Sequence, residues 1–451
     1  MAYWYRRVLL LAIPLILSNL TQPLLSTVDT VLSGHLPGAA ALGGVAIGGI
    51  FFNSVFWTFG FLRMSTTGLV AQAYGARDNQ QLRLHFARAF LSSVAIGALV
   101  LILRTPLIAV SIALLGAGPR VAANAAVYCH IRIWSAPAAL ANYVILGTLL
   151  GRQRARTALA IQVAINLVNV AVALWLVVHL DWGVAGIAGA TAAADYAGLL
   201  LGLAVTIQSK VLSPSHRNHE LEERMGWHDI LHGPSLRHLF ALNRDLLLRT
   251  LSLVAAYAWF TRSGARAGDA ILAANAVLLN LHNLASYALD GFANTTEALV
   301  GESIGAHRLP DYRAVLRAST VAAAVVALLM SLTYFVFGGE LIRLFTNQEP
   351  IRILAERYLP WAIAMPSIAI WGFQLDGIFI GATHARDLRD SMVISLLGFL
   401  LLAVTLEHRF GNHGLWCALA LFMVLRAMTL GMRLPGIEKS FAVPSTEPVI
   451  A

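Results

Sequence analysis

Apolar residues in this chain come in long unbroken runs, cut by short clusters of Arg, His, Asn and Gly. A run of about 20 apolar residues is what an α-helix needs to cross a bilayer. Twelve such runs can be drawn, over residues 8–33, 41–73, 86–115, 122–150, 158–179, 183–208, 238–263, 270–303, 314–337, 353–381, 391–406 and 414–434. The pattern predicts an all-α polytopic membrane protein with twelve transmembrane helices. The longest connection, 209–237, is the one segment rich in charge and His. It reads as a linker between an N-terminal lobe of six spans, 1–208, and a C-terminal lobe of six spans, 238–451, which ends in a short tail.

Composition agrees with the pattern. The chain is 58% hydrophobic and 12% charged, with mean hydropathy +0.70, where a soluble domain has about 25% charged residues. The net charge of +9 does not point to nucleic acid. The Arg residues gather in alternate connections, at Arg77 and Arg83, at Arg152, Arg154 and Arg156, at Arg308 and Arg313, and at Arg386 and Arg389. The intervening connections are short and poor in charge, apart from the one holding Arg343 and Arg352. Basic connections stay on the cytoplasmic side, so the pattern places both termini and the 209–237 linker in the cytoplasm. Arg6 and Arg7 precede a run too long for a signal peptide, so the first span is expected to be a membrane anchor. Cys129 and Cys417 lie in apolar runs and are expected to be small buried hydrophobes. The linker residues His216, His219, His228 and His232 fit no compact metal-ligand spacing.

The first span carries a lone carboxylate, Asp29, together with Pro14 and Pro23. A charge at the centre of a spanning helix costs roughly 2.5–3.5 kcal/mol on insertion scales, and function is the usual reason to keep one. The two prolines remove helix hydrogen bonds, so this helix can bend and turn the carboxylate. The competing interpretation is a fixed kink with Asp29 as a structural acceptor.

The two lobes repeat each other. At an offset of 230, Thr66, Leu69, Val70, Gly75, Ala76 and Arg83 recur as Thr296, Leu299, Val300, Gly305, Ala306 and Arg313. The same offset carries Gly147, Gly151, Ala155 and Arg156 onto Gly377, Gly381, Ala385 and Arg386. Six spans separate the copies, so both have one orientation. The repeat is parallel, with a pseudo-two-fold axis along the membrane normal.

The run IPLILSNLTQPLLSTVDTVLSGHL resembles the first helix of the MATE (multidrug and toxic compound extrusion) transporters. GLVAQAYGAR, ALVGESIGAH, NLVN and WGVAGIAGAT are similar to further motifs of that family. LDGIFIGATHAR, NRDLLLRT and ALDGFANTTEALVG resemble its DinF-like branch. The resemblance covers nearly the whole chain. It implies two lobes around a central cleft and export of organic cations and other amphipathic compounds, driven by an inward H⁺ or Na⁺ gradient. It implies a bacterial inner-membrane location, no bound cofactor and a monomer in the lipid bilayer. The family's coupling acid matches Asp29, its fifth-helix Asn matches Asn169, and its sixth-helix Thr matches Thr191. Many relatives carry a second acid four residues after that Asn, where this chain has Ala173.

Counting residues from the span ends at 1.5 Å each puts Asp29, Asn169 and Thr191 roughly 6–15 Å below the outer boundary. They can share one level. A carboxylate there can take up and release a proton, whereas Na⁺ requires several oxygen ligands, so H⁺ is expected. Asp195 follows Thr191 by four residues and faces the same side. It either partly replaces the acid missing at Ala173 or is a structural acid. Asp290 and Asp376 are candidates for a second cation or substrate site in the C-terminal lobe. No G-x-S-x-G, H-E-x-x-H or Walker A motif occurs, which argues against an enzyme and leaves a gradient as the energy source. A lipid-carrier flippase is the alternative transporter. It would favour basic residues in the spans.

Overall fold

The computed structural model describes residues 1–114, 116, 118–208 and 226–441, and of residues 22–25 and 440 the backbone. Most of the expected linker, with His216 and His219, lies outside the described residues, as does the side chain of Pro23. The described chain is helical throughout, without strands. The helices are α1 (Ala2–Gly34), α2 (Ala39–Thr58), α3 (Phe61–Gly75), α4 (Asn79–Ile102), α5 (Arg104–Leu114), α6 (Pro119–Arg132), α7 (Ala136–Gly151), α8 (Ala155–Leu174) and α9 (Gly183–Gln208). They continue as α10 (Trp227–Ile230), α11 (Gly233–Arg266), α12 (Asp269–Gly305), α13 (Leu309–Phe345), α14 (Glu349–Gly381), α15 (Ala385–Phe410), α16 (Asn412–Gly431) and α17 (Leu434–Ser440).

Several expected spans are interrupted, and the sequence explains where. Span two breaks at Gly60, between α2 and α3. Span three breaks at Leu103, four residues before Leu107 and just ahead of Pro106, which has no N–H to continue the ladder. Span four passes through a 3₁₀ turn, Ile133–Ser135, ahead of Pro137. The last turn of span five, Trp175–His179, widens to a π-helix. Among the described residues, ten segments are long and apolar enough to cross a membrane. α11 and α12 fall short of that measure. Arg244, Asp245 and Arg249 interrupt the first, and Asn275, His282 and Asp290 the second.

α11 starts at Gly233, ahead of the expected boundary at 238, with Pro234 in its first turn, where a missing N–H costs nothing. The short α10 before it is fastened to α4. Arg88 donates to the carbonyls of Asp229 at 2.6 Å and Ile230 at 3.1 Å. Asp245 is paired with its neighbour Arg244 at 3.0 Å, and also with Arg389 at 2.8 Å.

The chain forms two compact units. One comprises Leu17–Tyr74 and Asp78–Phe240; the other comprises Met1–Ile16, Gly75–Arg77 and Ala241–Ala451. α1 thus gives its first half to one unit and its second half to the other. In the first unit a core of Phe51, Phe52, Ile108, Tyr128, Ile133 and Ile187 is closed to solvent. In the second, Phe260, Leu278, Met365, Phe399, Trp416 and Phe422 do the same.

The repeat has a physical basis within each unit. A Cβ on Gly147 would lie 2.6 Å from the carbonyl oxygen of Arg63, and one on Gly151 2.8 Å from that of Thr67. On Gly377 it would lie 2.3 Å from the carbonyl of Ala293, and on Gly381 2.4 Å from that of Glu297. Both glycines and carbonyls obey the offset of 230. Each unit therefore needs a residue without a side chain where two helices meet backbone to backbone. The turns after these helices also match. Arg77 and His307 have φ of 59° and 53°, and Gln153 and Thr383 have 60° and 58°. All four are non-glycine residues in the left-handed region.

Candidate functional site

The site of the first unit is built on four helices. α1 supplies Asp29, α6 Tyr128 and Arg132, α8 Asn169, and α9 Thr191. Asp29 is 4% exposed, Asn169 0% and Thr191 2%. Asn169 Nδ2 donates to Thr191 Oγ1 at 3.0 Å. The single hydroxyl proton of Thr191 is shared between Asp29 Oδ2 at 3.5 Å and the Ile187 carbonyl at 3.2 Å. Tyr128 Oη donates to Asp29 Oδ2 at 3.2 Å, and Arg132 Nη1 donates to Tyr128 Oη at 2.6 Å. Asp29 Oδ1 and Asn169 Oδ1 are buried and have no hydrogen-bond partner among the described residues. Both are acceptors, and each lacks a donor.

The structure thus brings Asp29, Asn169 and Thr191 together. Asp195 is one turn further along α9. Its backbone carbonyl accepts from Asn142 Nδ2 at 2.8 Å, and its carboxylate is within electrostatic reach of Arg132. Ala173 packs with Leu176 and Ala190 against Leu32 and Val172. The position of the absent acid is therefore a dry apolar contact. Other amides tie helices together. Asn166 Nδ2 reaches the Thr21 carbonyl of α1 at 3.1 Å. Pro14 and Pro23 both lie inside the continuous helix α1.

In the second unit, Asp376 on α14 accepts hydrogen bonds from two guanidinium groups, Arg249 of α11 and Arg426 of α16. All three side chains are at least nine-tenths buried. Asp290 on α12 is within electrostatic reach of Arg249, so two acids face two bases. Asp290 and Asp376 therefore share a neighbourhood, but Asp376 already holds its cations. A metal ion or a substrate cation would have to displace a guanidinium to reach it.

Arg132, Arg249 and Arg426 are the residues that sequence reasoning passed over. The signal was present: an Arg inside a span is as costly as an Asp, and HIRIW, LLLRT and MVLRA each carry one. Weighing the acids one helix at a time hid the fact that arginines face them.

Comparison with known proteins follows the same two-unit plan. The MatE family model matches twice, at residues 14–175 and 247–407. DNA damage-inducible protein F of Escherichia coli K12 is 42% identical over 93% of this chain and 90% of its own length. A probable multidrug resistance protein NorM of Rhizobium meliloti is 27% identical, over 95% of this chain and 92% of its own. Among solved structures, a crystal structure of MATE in the bent conformation superposes with a TM-score of 0.85 at 18% identity, covering 97% of both chains. That likeness establishes the fold.

Proposed function

Because this chain belongs to the MatE family, in the branch of DNA damage-inducible protein F, we propose that it is a secondary active exporter of drugs and organic cations. The family sets the coarse frame: a multi-pass membrane transporter whose relatives are not enzymes and include multidrug resistance proteins. Within it, substrate leaves against an inward gradient of H⁺ rather than Na⁺, and protonation of Asp29 is the coupling step.

The observation that carries this reading is the pair of orphan acceptors, Asp29 Oδ1 and Asn169 Oδ1. A buried acceptor without a donor costs about 1–3 kcal/mol. A proton added to the Asp29 carboxylate supplies the missing donor without importing a hydration shell. Na⁺ is the weaker candidate. It needs several oxygens around it, and the site offers Asp29, Asn169 and Thr191 with a guanidinium one hydroxyl away. Asp29 would take its proton from the outer side, displacing substrate, and give it up inside. Pro14 and Pro23 let α1 bend as the carboxylate changes charge, and Asp195 supports Asp29 in place of an acid at Ala173. The working unit is a monomer in the bacterial inner membrane, with both termini in the cytoplasm.

The test is ethidium efflux from proteoliposomes under imposed pH or Na⁺ gradients. The expected result is efflux driven by the pH gradient and abolished in a folded Asp29→Asn variant. Full efflux by that variant, or efflux driven by Na⁺ alone, sinks the reading. A flippase would instead give lipid movement without gradient-dependent ethidium signal.

A further inference from the structure

A half-buried cation stands close to the coupling carboxylate. Arg132 is the last residue of α6, directly before the 3₁₀ turn Ile133–Ser135 that joins it to α7. Its guanidinium donates to Tyr128 Oη at 2.6 Å, and that same hydroxyl donates to Asp29 Oδ2 at 3.2 Å. One face of the guanidinium lies over the Phe52 ring of α2, 4.7 Å from its centroid. Its Nε is buried without a hydrogen-bond partner among the described residues. The ionisable groups around it are Asp29 from α1, Tyr128 and Cys129 from α6, Tyr143 from α7 and Asp195 from α9. Two carboxylates on two different helices therefore share one fixed positive charge.

We propose that Arg132 is the specificity-determining residue of this site: a tethered cation that keeps inorganic cations away from Asp29 and shifts toward Asp195 when a proton neutralises Asp29. The inference rests on the reading of Asp29 as the coupling group. A positive charge held behind Tyr128 repels a second full charge at Asp29 but leaves a proton free to add, because the proton becomes part of a neutral carboxylic acid. In that step one O–H bond forms on Asp29, the proton comes from water, and Arg132 keeps its own protons. Asp29 then no longer attracts the guanidinium, and Asp195 is the remaining anion among the groups named. The unpartnered Nε provides a donor for it. The 3₁₀ turn beneath Arg132 is a point where the helix ladder is already interrupted, and such turns often mark hinges. Uptake of a proton on α1 is thereby passed to α6 and α9 as the movement of one charged side chain.

The test is binding of ²²Na⁺ to the purified full-length protein in detergent, which needs no transport. The wild type is expected to show no saturable binding. Arg132→Gln is expected to bind Na⁺ saturably, at least tenfold above wild type, and Arg132→Gln with Asp29→Asn to lose it again. Arg132→Lys, which keeps the charge, is expected to exclude Na⁺ as the wild type does. Saturable Asp29-dependent binding by the wild type or by Arg132→Lys overturns the proposal, and so does a folded Arg132→Gln that gains none. If Arg132→Gln does not fold, Arg132→Met is measured in its place, with the same gain expected and its absence overturning the proposal. Failure of wild-type efflux in proteoliposomes would remove the transport reading and leave these binding results standing.

Discussion

Asn169 on α8 holds Thr191 on α9, amide nitrogen to hydroxyl oxygen, at 3.0 Å. That bond fixes the hydroxyl that faces Asp29. A single hydrogen bond of this kind is worth about 1 kcal/mol net. Asn169→Ala is therefore expected to lower pH-driven efflux about fivefold while the protein still elutes as a single folded species. Thr191→Val, which keeps the volume and removes all three hydrogen bonds of the hydroxyl, should do the same. Unchanged initial rates of ethidium efflux in both variants would show that the bond does not serve the site.

The Asp376 cluster predicts an order of stabilities. Removing one partner from a buried ion pair costs about 3–5 kcal/mol because a charge is left uncompensated. Asp376→Asn abandons two buried guanidinium groups at once. Arg249→Gln leaves Arg426 paired with Asp376. The midpoint of thermal unfolding in detergent should fall much further for Asp376→Asn than for Arg249→Gln. The reverse order would mean that Asp290, not Asp376, is the main counter-ion.

These two clusters differ in how far the sequence revealed them. Asp29 was visible because a lone carboxylate in an apolar run is conspicuous. Its meeting with Asn169 and Thr191 followed from residue counts and family resemblance. Tyr128 and Arg132 escaped because they lie in the fourth span, and spacing along one helix does not say which neighbour it faces. For the same reason Asp290 and Asp376 looked like free acids until Arg249 and Arg426 were placed against Asp376. The helices themselves were legible almost throughout, since a bilayer-length apolar run has few other structures open to it. The breaks at Leu103 and Ile133 were not, because hydropathy is blind to a missing N–H one turn away, and neither was the break at Gly60.

Gly377 leaves no room for a methyl group. The atom it would strike is a backbone oxygen at 2.3 Å, which cannot rotate aside as a side chain can. Gly377→Ala should destabilise the protein by about 1–3 kcal/mol. Gly147→Ala, facing Arg63 at 2.6 Å, should be somewhat milder. Thermal unfolding monitored by size-exclusion fluorescence would rank them, and equal stability of Gly377→Ala and wild type would refute the close approach.

Arg7 and Glu302 form a bidentate pair at 2.7 and 2.8 Å, with both side chains 23% exposed. This gives Glu302 a partner on α1. Exposed pairs contribute about 0.2–1 kcal/mol and are screened by salt. Arg7→Gln should therefore lower the unfolding midpoint slightly at low ionic strength, and the difference should vanish near 1 M salt. A loss that persists in high salt would assign Arg7 a packing role instead.

The four left-handed turns bear on the origin of the chain. Arg77 and His307, and likewise Gln153 and Thr383, share a backbone bend but not a side chain. Each such residue carries a penalty of about 1–2 kcal/mol that glycine would avoid. A gene that arose by duplication would begin with both halves paying it. Here side chains have drifted apart at all four positions, yet neither half has drifted to glycine and neither has lost the bend. Ancestry in this molecule is written in peptide torsion more durably than in letters, and a search for remote kin would do well to compare bends before residues.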